Sequence, residues 1–154
     1  MKEALKEGSA VKRLTVSMIL NAIKNKELEK RAKLSKTTAD QKTLETGSKL
    51  TDDEIIDVIG TEAKKRKESI EIYEKAGRQD LVKKENEELV IVMSYLPEQM
   101  GEDDLRKIVK EVIAQTGATS AKDMGKVVGA VMPKVKGKAS GSDVSRIVKE
   151  ELGA

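Results

Sequence analysis

The stretch TDDEIIDVIGTEAKKRKESIEIYEKAG, residues 51–77, decides the fold because it carries a start and a stop signal for one long helix. Thr51 and Glu54 form a capping-box pattern, in which each side chain can accept a hydrogen bond from the other residue's backbone N–H. Gly77 supplies the stop. Between these ends, apolar residues at helical spacing predict one buried face: Ile55, Ile59, Ala63, Ile70 and Tyr73.

A helix is also predicted before this stretch, over residues 8–33. Its apolar residues keep helical spacing, and additional apolar residues widen the face, so we expect this helix to be well buried. Residues 31–50 lose the periodicity and are rich in Thr, Ser and Lys, which predicts a mobile or marginally helical connection. The apolar residues of the first helix are Val11, Leu14, Met18 and Ala22, widened by Val16, Ile19, Leu20 and Ile23.

A third long helix is predicted over residues 78–95, with Val82, Leu89, Val92 and Met93 at compatible spacing. It ends before Pro97, because the residue that precedes a proline is pushed out of the helical region. Beyond Pro97 the predicted helices become short, so we place a domain boundary there. The predicted domains are residues 1–96, which include the connection 31–50, and residues 97–154.

The carboxy-terminal domain is predicted to contain three short helices, with Gly117 and Gly137 in its turns. No useful length of the chain alternates with period two, so no sheet is expected. We therefore predict an all-α fold, with an amino-terminal bundle of long helices followed by a small three-helix domain. The apolar stripes of the three short helices are Leu105, Ile108, Val109, Val112; Met124, Val127, Val128, Val131; and Val144, Ile147, Val148, Leu152.

Composition excludes several kinds of chemistry. The chain has no cysteine and no histidine, which removes disulfides, the usual zinc sites and nucleophiles activated by histidine. Gly137 and Lys138 are similar to the end of a phosphate-binding P-loop, but Ala139 follows where that motif needs Ser or Thr. Met132 stands where its first glycine is required. We predict no catalytic residue, no metal and no cofactor.

Hydropathy and total charge indicate little about location or partners. The longest uncharged run, residues 14–23, is too short to cross a bilayer, and the amino end MKEALKEG lacks the apolar segment of a secretory signal. A cytoplasmic protein with no membrane partner is therefore expected. The net charge of +3, from 30 basic and 27 acidic residues, is too even to indicate a nucleic-acid partner.

Positive charge is concentrated locally in KDMGKVVGAVMPKVKGKASG, residues 122–141. Pro133 ends one short helix, and Ser140 with Asp143 forms a capping pattern for the next, so the residues between them form a lysine-rich turn. Five lysines here stand against one acid, Asp123. Positive charge concentrated in this way can bind a polyanion. Such a pattern is more often typical of a solvated surface turn. The lysines of the turn are Lys134, Lys136 and Lys138.

Two further features have a structural and a functional interpretation. Gly125 and Gly129 lie on one helix, where each costs about 1 kcal/mol relative to alanine. That cost favours close packing against a neighbouring backbone, with a flat face for a ligand as the alternative.

Two charged clusters could pair across two helices: the basic run at residues 64–67 and the acids Glu85, Glu87 and Glu88. Solvated faces with weak ion pairs are the favoured interpretation.

The chain resembles the YqeY family of bacterial proteins. The resemblance rests on YEKAGRQDL (residues 73–81), YLPEQM (residues 95–100) and DMGKVVGAVMPKVKGKA (residues 123–139), and it covers residues 11–152, with residues 31–50 the least typical. It implies an all-helical fold with two helical parts. The biochemical role of the family is uncharacterised.

The carboxy-terminal half is also similar to the tail domain of the B subunit of the glutamine-dependent aspartyl/glutamyl-tRNA amidotransferase. That domain helps to hold tRNA, so the resemblance implies tRNA-backbone contacts from Lys126, Lys134, Lys136, Lys138 and Arg146. Gly125, Gly129, Pro133 and Gly137 would be the structural motif. The large catalytic part of the B subunit is absent here, so any link to amide transfer would be as a partner.

Three hypotheses of function follow. The first is a non-catalytic module that binds tRNA or associates with the tRNA amidotransferase. The second is a helical interaction module whose partner is a protein. The third, ranked last, is a free-standing enzyme with glutamine-dependent carbon-nitrogen ligase activity, for which no constellation of residues can be located.

Overall fold

A computed structural model describes residues 10–153, and the regular secondary structure in that range is entirely helical. The predicted all-α fold is confirmed. The chain divides after Tyr95 into two compact units, which are described separately. Between residues 10 and 153, no helix is both long and apolar enough to cross a membrane.

The amino-terminal unit contains four of the described helices. Helix α3 packs closely against α4, and α1 contacts both of them. The predicted start of α1 at Gly8 lies outside the described residues. The four helices are α1 (Ala10–Leu34), α2 (Gln41–Gly47), α3 (Asp52–Lys75) and α4 (Gln79–Met93).

Helix α3 begins and ends as its sequence predicts. The Thr51 hydroxyl accepts a hydrogen bond from the backbone N–H of Glu54 at 3.3 Å, and the Glu54 carboxylate accepts one from the N–H of Thr51 at 2.8 Å. After Lys75 the chain turns through Gly77, whose φ of 69° lies in the left-handed region that favours glycine. Ile59 and Ala63 are buried on the predicted face.

Helix α1 buries only part of the predicted apolar face. Thr15, Val16 and Ile19 are buried, and the Thr15 hydroxyl donates to the Val11 carbonyl at 2.9 Å. The predicted core residues Val11, Leu14 and Met18 are instead exposed, at 37%, 53% and 42%. Val16 and Ile19 are buried as predicted. The prediction was wrong for the exposed residues because α1 is apolar around much of its circumference, whereas α3 and α4 cover only part of it.

Residues 31–50, predicted to be a mobile or marginally helical connection, include the last turn of α1 and the short helix α2. The Asp40 carboxylate caps α2 by accepting a hydrogen bond from the backbone N–H of Thr43 at 2.8 Å. Leu44 is buried, so apolar packing holds this short helix against the rest of the amino-terminal unit.

The carboxy-terminal unit contains α5 (Glu102–Thr116), α6 (Met124–Val131) and α7 (Gly141–Glu151), with 3-10 turns Ala121–Asp123 and Met132–Val135 on either side of α6. Gly117 and Gly137 have φ of 65° and 71°, as their predicted turn positions require. The three predicted stripes meet in one core. Its buried members are Leu105, Val109, Val112, Ala118, Val127, Val131, Val135, Val144, Ile147 and Val148.

Candidate nucleic-acid interface

Lys126 and Lys134 both reach the carboxyl end of α5. The Lys126 ammonium donates to the Thr116 carbonyl at 3.0 Å, and the Lys134 ammonium donates to the Gln115 side-chain oxygen at 3.3 Å. Both side chains are exposed. A cation at a helix carboxyl end is favoured by the helix dipole. Both acceptors are uncharged, so neither contact is an ion pair.

Lys138 lies further along the same turn and is also exposed. Its backbone carbonyl accepts a hydrogen bond from the N–H of Met100 at 2.8 Å, and the Gly137 carbonyl accepts one from the Gln99 side chain at 2.7 Å. The turn is therefore held at the amino end of α5, whereas Lys134 reaches its carboxyl end. Lys138 and the other two lysines therefore lie towards opposite ends of α5, which is about 22 Å long at 1.5 Å per residue.

Lys136 and Arg146, the other two predicted contact residues, are engaged within the protein. Lys136 is half-buried and interacts with another group of the chain. The Arg146 guanidinium pairs with Glu102 and Glu150, each at 2.9 Å. These contacts raise the pKa of Arg146, first through the hydrogen bond to Glu102 and then through that to Glu150. Arg146 would have to leave two carboxylates to bind an anion.

Arg146 belongs to a network that joins α5 to α7. Arg106 of α5 pairs with Glu150 and Glu151 of α7, each at 2.7 Å, and with Glu102 at 3.0 Å. The hydrogen bonds from Arg146 and Arg106 hold the pKa of Glu102 below its ordinary value, and those from Arg106 and Arg146 do the same for Glu150. The network stabilises the helix packing beside the lysine turn.

Gly125 and Gly129 lie on an open face of α6, and the predicted close packing is wrong. Both are exposed, and a Cβ added at either position would meet no atom within 4 Å. Their cost in helix stability is thus not offset by packing among the described residues. Lys126 lies between them, and Pro133 is exposed one turn further on. The face is flat and carries positive charge.

The amino end of α7 and the 3-10 turn that precedes α6 carry side-chain caps. The Asp123 carboxylate accepts hydrogen bonds from the backbone N–H groups of Thr119 at 3.1 Å and Ser120 at 3.2 Å, which lower its pKa together with the Ser120 hydroxyl. The Ser140 hydroxyl accepts from the N–H of Asp143 at 3.1 Å, as the capping pattern predicts. Asp123 and Asp143 also place negative charge at the amino ends of α6 and α7, so lysine side chains suit an anion better than these helix ends do.

One charged cluster in the amino-terminal unit is more ordered than predicted. Arg66 of α3 pairs with Glu62 at 3.1 Å and with Glu88 of α4 at 3.3 Å, and Arg66 and Glu88 are only 4% and 5% exposed. The favoured interpretation of solvated faces was wrong for this pair. Arg66 Nε is buried without a hydrogen-bond partner among the described residues.

A signal for this cluster was present in the sequence. Arg66 lies seven residues after Ile59 and three after Ala63, so it falls on the apolar face of α3. A charged residue inside an apolar stripe requires a partner of opposite charge nearby. Burial raises the pKa of Glu62, but hydrogen bonds from Lys65 and Arg66 outweigh burial and leave it below its ordinary value.

Comparison with known proteins assigns the chain to a family. The sequence model of the YqeY family, described as Yqey-like protein, matches residues 1–152. The chain belongs to the YqeY family. The resemblance inferred from residues 73–81, 95–100 and 123–139 is thereby confirmed. Among curated proteins, the chain is similar to Altered inheritance of mitochondria protein 41, mitochondrial, of Pyrenophora tritici-repentis (strain Pt-1C-BFP).

That relative is 35% identical over 109 residues, which cover 68% of this YqeY-family chain and 59% of the relative. The chain thus spans about three-fifths of the length of the curated relative that it matches. The printed name places the relative in mitochondria. For the present chain, the similarity to the amidotransferase tail and the cytoplasmic location remain predictions.

Proposed function

We propose that this YqeY-family protein is a non-catalytic, cytoplasmic RNA-binding module whose carboxy-terminal unit contacts the sugar-phosphate backbone of tRNA. One observation carries the proposal. Lys126, Lys134 and Lys138 are exposed, and none of them has a carboxylate within ion-pair distance among residues 10–153. Lysines that neutralise phosphates release condensed counterions, and this release drives binding.

The shape of the surface agrees with backbone contacts. The lysines lie towards both ends of α5, and the flat face at Gly125 and Gly129 would let a phosphodiester strand approach α6 closely. The two tyrosines of the chain are too few for a stacking platform, so recognition by shape and by phosphate or 2'-hydroxyl contacts is favoured over readout of splayed bases.

The resemblance to the amidotransferase tail domain extends the proposal to a protein partner. The chain would associate with the tRNA amidotransferase because both proteins bind the same tRNA. It would not carry out amide transfer itself. Co-sedimentation of the two proteins that depends on added tRNA would support this association. Co-sedimentation that is unchanged by ribonuclease would point instead to a direct protein contact.

Titration of labelled tRNA at several salt concentrations tests the RNA-binding proposal. Three phosphate contacts predict that log K falls with log salt at a slope of about −2 to −3. The triple variant Lys126→Gln, Lys134→Gln, Lys138→Gln should weaken binding and flatten this slope. Glutamine is chosen because its amide can still donate to the Gln115 and Thr116 oxygens.

A matched control removes the same charge elsewhere. Lys67, Lys83 and Lys84 are exposed lysines of the amino-terminal unit, and their replacement by glutamine changes the net charge equally. Binding should survive in this control. Equal losses of tRNA affinity in both triple variants would contradict the proposal. So would the absence of tRNA binding by the unaltered protein at low salt.

A further inference from the structure

The Met18 sulfur of α1 contacts a buried cation. The Arg66 Nη2 group of α3 donates to this sulfur at 3.8 Å. Arg66 is only 4% exposed, whereas Met18 is 42% exposed and is the only exposed methionine among residues 10–153. A thioether sulfur is a weak hydrogen-bond acceptor. An exposed side chain therefore supplies a buried guanidinium with a poor partner.

The guanidinium has a donor that the protein leaves unused. Arg66 Nη1 donates to the Glu62 carbonyl and to the Glu62 carboxylate, each at 3.1 Å. Nη2 lies 3.3 Å from the Glu88 carboxylate, in addition to its contact with Met18. Nε is buried and has no hydrogen-bond partner within residues 10–153. Buried N–H groups in proteins are nearly always paired, so this unpaired Nε needs an explanation.

Nε and Nη2 form one edge of a guanidinium, so a single acceptor group can bind both. Arg78 has this arrangement, because its Nε and Nη2 donate to the Asp80 carboxylate at 2.9 Å and 2.8 Å. In Arg66 the Met18 sulfur contacts Nη2, the nitrogen that shares this edge with the unpaired Nε. An oxygen atom attached to that sulfur would lie within reach of both nitrogens.

Oxidation of Met18 would supply such an oxygen. A sulfoxide oxygen carries partial negative charge and accepts hydrogen bonds more strongly than a thioether sulfur does. Hydrogen bonds from a charged donor are about twice as strong as those between neutral groups. Methionine oxidation usually disrupts packing, because it makes an apolar side chain polar. At position 18 we expect the reverse, since the side chain is already exposed and a buried donor lies beside it.

A small oxidant has open access to Met18. The side chain lines a groove between α1 and α3 of about 820 Å³, which is ample for a molecule as small as hydrogen peroxide. The other described methionines, Met93, Met100, Met124 and Met132, are half-buried. Exposure therefore distinguishes Met18 from them.

We propose that hydrogen peroxide oxidises Met18 to the sulfoxide and that Arg66 binds the sulfoxide oxygen. A lone pair of the sulfur attacks one peroxide oxygen, and an S–O bond forms as the O–O bond breaks. The proton on the attacked oxygen moves to the departing hydroxide, which leaves as water. The sulfur is oxidised by two electrons, and the peroxide is reduced by them. This inference concerns the amino-terminal unit and is independent of the RNA-binding proposal.

Limited treatment of the full chain with hydrogen peroxide tests the oxidation step. Peptide mapping by mass spectrometry should find Met18 oxidised before the four half-buried methionines. In denaturing urea the five rates should become similar. Oxidation of Met18 no faster than that of the other four, or a preference for Met18 that survives unfolding, would contradict the proposal.

Urea unfolding tests the binding of the sulfoxide by Arg66. Tyr73 and Tyr95 both belong to the amino-terminal unit, so tyrosine fluorescence follows the unfolding of that unit. Peroxide treatment should raise the unfolding midpoint by about 0.5 M urea, because a charged donor gains an acceptor. Met18→Leu should abolish this increase. Met93→Leu is the matched control, since it removes the other described methionine of the unit, and it should retain the increase.

The Arg66 side chain provides a second measurement. In the oxidised protein, the NMR signal of the Arg66 Nε–H should shift, and its exchange with water should slow, because the proton gains an acceptor. An unchanged Nε–H signal would overturn the proposal. A midpoint that falls on oxidation would also overturn it, as would an increase that persists in Met18→Leu.

Discussion

The Arg66 guanidinium and the Glu88 carboxylate lie 3.3 Å apart, both buried between α3 and α4. Removing a charged group from water is costly, so this pair persists only because each charge compensates the other. The contact fixes one pairing of α3 with α4, since a shift of either helix would leave an uncompensated buried charge.

Replacement of Arg66 by methionine should destabilise the amino-terminal unit by about 3 to 5 kcal/mol, because Glu88 would remain buried without its partner. The double variant Arg66→Met, Glu88→Leu should recover much of this loss, since well-packed apolar residues can replace a buried pair. Urea unfolding followed by circular dichroism measures both. A double variant that is no more stable than Arg66→Met would contradict this account.

Substitution of Gly125 and Gly129 by alanine should separate stability from RNA binding. Each alanine should stabilise α6 by up to about 1 kcal/mol, because the added Cβ meets nothing within 4 Å. If the flat face admits a phosphate backbone, tRNA affinity should fall although the unit becomes more stable. Unchanged affinity in the more stable variant would show that the glycines have no part in binding.

The network of Glu102 and Glu150 should make the stability of the carboxy-terminal unit depend on acid pH. Both carboxyls have a folded-state pKa below their ordinary value of 4.5. Their contribution to stability is therefore present above pH 4.5 and is lost as the pH falls through the lowered pKa values. Urea titrations from about pH 7 to about pH 3, followed by resolved amide signals of α5 and α7, would measure the loss.

Arg106→Gln provides the control for this pH dependence. The variant removes one charged partner that Glu102 and Glu150 share. It should therefore lose less stability between neutral and acid pH than the unaltered protein does. A variant with the same pH profile as the unaltered protein would show that the network does not contribute.

Loss of the hydroxyl in Thr51→Ala should cost about 1 kcal/mol, because α3 loses a side-chain acceptor at its first turn. Thr61→Ala is a suitable control, since Thr61 lies inside α3 and its hydroxyl donates only to the Asp57 carbonyl at 2.9 Å. Chemical denaturation of both variants should show the larger shift for Thr51→Ala.

Local signals predicted much of the fold, because helix ends depend on nearby residues. The capping pairs at Thr51 and Ser140 and the left-handed Gly77 and Gly117 lie where the sequence places them. The buried face of α1 was not predictable in the same way. Apolar residues surround much of that helix, so only the position of α3 and α4 decides which side is covered.

The candidate sites were predictable only in part, for a similar reason. A run of lysines is visible in the sequence, but whether each ammonium has a partner depends on residues distant in the chain. Arg146 pairs with Glu102, 44 residues away, whereas Lys134 donates to the uncharged side-chain amide of Gln115.

The hydrogen bonds from Met100 and Gln99 to the lysine turn have a practical consequence. Anyone who isolates the carboxy-terminal unit by trimming the chain should retain residues 97–100, although they precede α5. A shortened protein that starts at Gly101 would lose both tethers, which would loosen the turn around Gly137 and Lys138. If the protein binds RNA as proposed, a loss of affinity in the shortened protein would reflect that lost order and not a missing contact residue.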